Sequence, residues 1–501
     1  MTGNADRIRR ILADHGAPGG GGAAVRRAAD VPPTLAPPPP RLDDPARLAL
    51  LERLRSLHVE TIGRGTDARR GPVVTDGPVL TLDDFDDDDD RPLDVRLGAE
   101  RRVATKGVYW LVERRFPLGS RHGAEVLATA FERAIPLRQR ERRPGGRVAV
   151  HPDEAVFLDV ETTGLAGGTG TLAFLVGVAR RVGDDLVLRQ YFVPDFPDEA
   201  AVLDALAADL GDAPLVTFNG RTFDAPLLAT RFRLHRIPFP DRDHLDLLPP
   251  ARRLWAGSLA SHALGSLERG VLGVARTNDL PGALVPAAYF AWLRDGRASA
   301  LSLAFRHNET DLVSLVALAG VVARLVNDPT SRPAAPADDH LHTARLLLDQ
   351  GDAGKARACL VAAAAVGGAP PAPVLRLLAS LQRRGGDLDA ALATWSGWLE
   401  AAGPFDPHPY EEIAKHLEHR AKDARRALGV VERALARCPA TDARRADLER
   451  RRARLTRKAG TACATPAGRR SSGPSGVGRK ARRAALPGGG PARSASPETT
   501  T

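Results

Sequence analysis

The sequence predicts an α/β domain, a mixed five-stranded sheet flanked by helices, followed by an all-α region of helical repeats, with disordered termini. Three observations predict it. Residues 151–330 alternate short apolar strand runs with amphipathic helical segments. Residues 335–458 turn to a helical pattern that repeats about every 35 residues, and both ends of the chain are rich in Gly, Pro, Ser or Arg.

In chain order, residues 1–40 hold a Gly run at 19–22 and a proline run ending at Pro40. That composition cannot bury enough apolar surface to order itself. Residues 41–150 are expected to form an N-terminal extension that packs on the next domain. They show helical spacing at Leu48, Leu51, Leu54 and Leu57, an acidic loop from Asp83 to Asp90, and a strand over 107–112. The acidic loop reads as a solvated charged segment rather than a cation site.

Within 151–330, strands are predicted over 155–160, 171–180, 186–193, 214–218 and 243–247, with helices over 198–210, 223–234 and 298–326. Short β-branched runs bounded by turn residues make the strands, and apolar residues three and four apart make the helices. Further on, Gly351-Asp-Ala-Gly-Lys-Ala356 recurs 35 residues later as Gly386-Asp-Leu-Asp-Ala-Ala391, and 36 later again as Lys422-Asp-Ala-Arg-Arg-Ala427. A period near 34, with small residues where paired helices touch, is the tetratricopeptide pattern. Residues 459–501 read as a disordered basic tail.

The 501 residues carry 71 Lys+Arg and 61 Asp+Glu, a net charge of +10. Only six of the basic residues are lysine. The excess does not lie in the central domain, where residues 151–330 hold 16 Arg against 22 Asp+Glu. It lies in residues 421–501, with 20 Lys+Arg against 6 Asp+Glu, so the tail is the expected salt-sensitive tether for nucleic acid. Three cysteines are too few and too scattered for a disulfide framework or a zinc site. With no apolar signal segment at its start, and a longest apolar stretch (312–326) too short to cross a bilayer, the protein is expected to be cytoplasmic, with no membrane partner.

Four carboxylates carry the chemistry. Asp159 and Glu161 stand at the end of the first strand in Leu158-Asp-Val-Glu-Thr-Thr-Gly-Leu165, and residues two apart on a strand share a face. Converging carboxylates raise each other's pKa unless a cation sits between them. Asp224 follows the fourth strand in Phe218-Asn-Gly-Arg-Thr-Phe-Asp-Ala-Pro226, where a helix begins. Asp311 lies four residues after His307, on one helical face with it. Taken singly, an Asp-x-Glu, a capping Asp224 or a packed His307 are ordinary features; in this order on these elements they surround one pocket. Oxygen-only ligands suit Mg2+ or Mn2+, and two such ions about 4 Å apart would activate a water and stabilise a leaving 3′ oxygen. A near-neutral His307 suits a general base. Asp246, just before Pro249 and a helix, reads as a structural cap or a support for the ligands.

The set Asp-Val-Glu-Thr-Thr-Gly-Leu, Asn-Gly-x-x-Phe-Asp-x-Pro and His-x-x-x-Asp resembles the three motifs of DEDD-type 3′–5′ exonucleases. More closely, the domain resembles the bacterial YprB-like family of predicted exonucleases with a ribonuclease H-like fold. Leu172-Ala-Phe-Leu-Val-Gly177, Gln190-Tyr-Phe192, His244-Leu-Asp-Leu-Leu248 and Pro286-x-x-Tyr289 carry that likeness over roughly 100–330. The resemblance implies that Asp159, Glu161, Asp224 and Asp311 are metal ligands. It also implies that Thr163 and Leu165 meet the terminal nucleotide, while Asn219 and Phe223 line the strand's path. The last motif has the spacing of the tyrosine subclass but begins with histidine, so the subclass and the role of His307 as base stay open. The expected function is a metal-dependent exonuclease acting on single-stranded nucleic acid or a 3′ end, with a protein partner recruited through the helical repeats. A non-catalytic nucleic-acid-binding adaptor and a structure-selective endonuclease are the alternatives.

Overall fold

The computed structural model describes residues 80–87, 89–136, 149–164, 170–332, 335–401 and 403–462. The segment 1–40, the helix expected within 41–60 and the tail beyond residue 462 lie outside these residues.

The N-terminal extension supplies α1 (Leu93–Leu97), which stops where Gly98 takes a left-handed φ of 60°, then β1 (Glu100–Ala104) and β2 (Gly107–Pro117). A two-stranded ribbon follows, β3 (Arg121–His122) with β4 (Glu125–Val126). The central domain then runs β5 (Val156–Thr162), β6 (Ala173–Val182), β7 (Asp185–Phe192), α2 (Glu199–Leu210), β8 (Leu215–Thr217), α3 (Asp224–Leu234) and β9 (His244–Asp246). Its remaining helices are α4 (Leu248–Leu254), α5 (Leu264–Leu267), α6 (Val285–Asp295) and the long α7 (Ser299–Asn327).

The predicted strands and helices of this domain all form, in the predicted order. Strand order is β1-β2-β7-β6-β5-β8-β9, antiparallel from β1 to β5 and parallel from β5 through β8 to β9. The sheet is mixed, as expected, but has seven strands rather than five. The strand foreseen at 107–112 continues to Pro117 and pairs along its length with β7, and β1 folds back on it. Left uncovered, β7 would be an open edge with unpaired backbone groups, and the extension closes it.

Residues 173–179 of β6 are buried on every position, because helices cover both faces of the sheet. Phe157 belongs to the core on one face, while Val156 and Leu158 belong to the core on the other. The apolar stretch 312–326 is the buried part of α7, not a surface stripe.

Two compact units divide the chain, one ending at Pro404 and one beginning at Phe405, so the division falls inside the repeat region. In the first unit, α8 (Ala337–Asp349) pairs with α9 (Ala353–Ala365), and α10 (Ala372–Arg384) with α11 (Leu388–Glu400). In the second, α12 (Pro407–His419) pairs with α13 (Ala424–Arg437), which packs on α14 (Arg445–Ala462). The recurring Gly-Asp has a plain local cause. Asp352, Asp387 and Asp423 each cap the second helix of a pair by accepting a backbone N–H three residues on. The preceding residue must take a left-handed conformation, with φ 80° at Gly351 and 85° at Gly386; in the third copy Lys422 takes it, at 56°.

Candidate active site

Asp159 and Glu161 leave β5 on the face covered by α7. Straight across the sheet from Asp159 lie Gly177 on β6 and then Gln190 on β7. Asn308, wholly buried on α7, fills the space above Gly177. Its Nδ2 donates to Asp159 Oδ2 at 2.8 Å, and its Oδ1 accepts from Gln190 Nε2 at 2.9 Å. A Cβ at residue 177 would come within 2.2 Å of that Oδ1, so only glycine lets the helix approach closely enough to hold Asp159.

Opposite Glu161, α7 presents His307 and Asp311 on one face. Ligand atoms of Glu161, His307 and Asp311 lie within 4.8 Å of one another. Two residues that the sequence does not single out fix this trio. Asp279 accepts from His307 Nδ1 at 2.8 Å, which leaves Nε2 facing Asp311 Oδ2 at 3.6 Å. Arg276 pairs with Asp311, reaches Asp279 at 3.3 Å, and is gripped from behind by both oxygens of buried Glu268 at 2.6 Å. Ser314 completes the anchor by donating to Glu268 at 2.6 Å. Neither Arg276 nor Asp279 sits in a motif, and their loop meets α7 only in the folded chain.

Asp224 opens α3, after a turn that Asp246 builds. Asp246 Oδ1 accepts from the backbone N–H of Asn219 at 2.8 Å and of Leu248 at 3.0 Å, and Oδ2 accepts from that of Arg221 at 3.2 Å. This is the structural cap expected of Asp246. Asn219 is held there at φ 67°, and Gly220 is needed because a Cβ would meet Asp224 Oδ2 at 2.7 Å. Phe223 is 53% exposed beside Asp224. Thr163 is buried, its hydroxyl accepting from the Leu172 N–H at 3.0 Å. Leu165 lies outside the described residues.

The four carboxylates form one electrostatic cluster. Burial first, and then the charges of Asp311, Glu161 and Asp224, push Asp159 well above the usual carboxylate range, against the opposing Asn308 hydrogen bond. Glu161 rises to about 8, chiefly by burial, with His307 pulling it down and Asp311 and Asp224 pushing it up. Asp224 rises to about 7 through burial, Asp246 and Asp311. Asp311 also rises by burial, although His307 and Arg276 oppose the shift. For His307, burial favours the neutral ring, but the Asp279 hydrogen bond and the charges of Asp311 and Glu161 prevail and raise it to about 9.

Four half-buried carboxylates with Arg276 and His307 beside them, among the described residues, are short of positive charge. All the donors but His307 are oxygens, which suits hard divalent cations, so the residues present fit Mg2+ or Mn2+. Residues 156–323 match the family model described as the RNase H superfamily, across the sheet and helix that carry these side chains.

The central domain is ribonuclease H-like. The uncharacterized protein YprB of Bacillus subtilis (strain 168) is 35% identical over 211 residues, 41% of this chain and 51% of the relative, which supports a YprB-like ribonuclease H-fold family. The chain spans about half the length of that relative. Among the described residues, no helix is long and apolar enough to cross a membrane.

Proposed function

We propose that the protein is a metal-dependent 3′–5′ exonuclease that hydrolyses phosphodiester bonds of DNA or RNA with two divalent cations. The observation that carries this reading is the half-buried cluster of Asp159, Glu161, Asp224 and Asp311, whose pKa values are raised by burial and by one another's charge. These four residues would hold the ions. Bound there, Mg2+ or Mn2+ supplies Lewis-acid activation of a water and of the leaving oxygen.

The chain's own residues do the rest. Asn308 and Gln190 keep Asp159 in place; Arg276 and Glu268 do the same for Asp311. His307, with its pKa near 9, is a cation at neutral pH and serves as counter-charge to Glu161 and Asp311. In that state it donates a proton; it accepts one as general base only once other positive charge has replaced its own at the carboxylates. Exposed Phe223 offers a face on which a base can stack on its way to Asp224. The 3′–5′ direction rests on the motif set, and the helix pairs would recruit a protein partner.

The test incubates 5′-labelled single-stranded DNA, duplex DNA and RNA with Mg2+ or Mn2+, beside Asp159→Ala and Asp224→Ala. A ladder shortened from the 3′ end and lost in both variants is expected. Internal cuts would favour a structure-selective endonuclease, and binding without cleavage an adaptor. Equal cleavage in wild type and variants would sink the assignment.

A further inference from the structure

A polar cleft of about 520 Å3 lies between α7, β2 and residues 87–97. Ser302, Arg306 and Glu309 line it, at the i, i+4, i+7 spacing of one helical face, while His307 and Asp311 occupy the opposite face. The cleft and the carboxylates are thus separated by about one helix diameter, ~10 Å. Its floor includes Gln190, two hydrogen bonds from Asp159 through Asn308.

Four guanidinium groups face the cleft, from Arg91, Arg96, Arg114 and Arg306. Arg306 is exposed and makes no ion pair among the described residues. Arg114 is 41% exposed, with its nearest carboxylate, Glu309, 3.8 Å away. The other two are paired with the acidic loop: exposed Arg91 with Asp89 at 2.8 Å, and Arg96, whose side chain is buried, with Asp87 at 2.8 Å. Ser299 at the start of α7 donates to Asp87 at 2.9 Å, and Arg297 pairs with Asp83 and Asp86. The loop is therefore pinned along the cleft rather than simply solvated.

We propose that this cleft binds backbone phosphates of the nucleic-acid strand whose scissile bond lies at Asp159, and that Asp87 and Asp89 occupy its arginines until the strand displaces them. The inference rests on the nuclease reading for its substrate. Arginine forks suit phosphate oxygens, and a carboxylate is the side chain that best imitates one. Arg306 and Arg114 are the points of first capture. Arg91 and Arg96 exchange carboxylate for phosphate, which gives the acidic run a role as competitor.

The experiment measures binding, not cleavage, so its failure is separable from failure of the nuclease assignment. Full-length protein carrying Asp159→Asn is titrated against 5′-fluorescein oligothymidylate or oligouridylate with Mg2+, by anisotropy at several KCl concentrations. Thymidine monophosphate serves as competitor. Arg306→Glu, at an exposed position whose loss spares the fold, and Arg306→Ala with Arg114→Ala are expected to weaken binding on the order of tenfold. They should also flatten the slope of log K against log salt by about 0.7 for each phosphate no longer neutralised. Asp87→Asn with Asp89→Asn is expected to tighten binding. Unchanged affinity and slope in all of these variants would overturn the proposal. So would effects confined to thymidine monophosphate, which would make the cleft a free-nucleotide pocket.

Discussion

Replacing Glu161 by Gln should stabilise the metal-free protein at alkaline pH while removing one of the proposed metal ligands. Glu161 has an ordinary pKa of 4.5 and is raised to about 8 in the fold. Between those values the native protein keeps a proton that the unfolded chain has lost, so stability falls as pH rises and levels off above about 8. At about 1.4 kcal/mol per pKa unit, the penalty reaches at most about 4–5 kcal/mol. Protons are shared with Asp159 and Asp224, so the measured slope belongs to the whole cluster. Glutamine keeps the shape and does not titrate. In EDTA, urea unfolding followed by circular dichroism should show the variant equal to or below wild type near pH 5.5 and above it near pH 8.5. Adding MnCl2 should narrow the gap near pH 8.5, because a ligand at a hundred times its Kd adds about 2.7 kcal/mol to the form that binds it. Parallel pH dependence of the two proteins in EDTA would refute the account of the cluster, as would a variant less stable than wild type near pH 8.5.

Two further outcomes follow from single contacts. Asp279→Asn removes the carboxylate that accepts from His307 Nδ1, and should lower kcat by roughly 10–100-fold with KM little changed; steady-state cleavage of a labelled oligonucleotide reads this split, and an unchanged kcat would show that His307 needs no such partner. Lys422→Gly relieves a left-handed residue that the other two repeats assign to glycine, and should stabilise the second unit by about 0.5–1 kcal/mol, seen as a higher urea midpoint; a lower midpoint would mean that the lysine side chain outweighs its backbone strain.

Much was legible because it is local. Strand and helix periods within 151–330, the Asp caps of the repeats and the two-apart spacing of Asp159 and Glu161 all follow from residues adjacent in the chain. The pairing of β2 with β7 was less so, since the sequence marks a strand but not the edge it will cover. Asn308 and Gln190 lay inside quoted motifs, yet their roles were invisible. Gln190 is 118 residues from Asn308, and what joins them is the absence of a side chain at Gly177.

The sequence by itself determined the ribonuclease H-like order of elements, the helical C-terminal region and the residue types able to gather cations. Only the tertiary structure decided the electrostatics. Arg276, Glu268 and Asp279 are nearly anonymous in the chain, and they become the partners of Asp311 and His307 because a loop closes against α7. The same closure raises the pKa of His307 to about 9 through Asp279, Asp311 and Glu161. Periodicity is written in neighbouring residues, whereas a pKa depends on every charge within a few ångströms and on the water that folding removes.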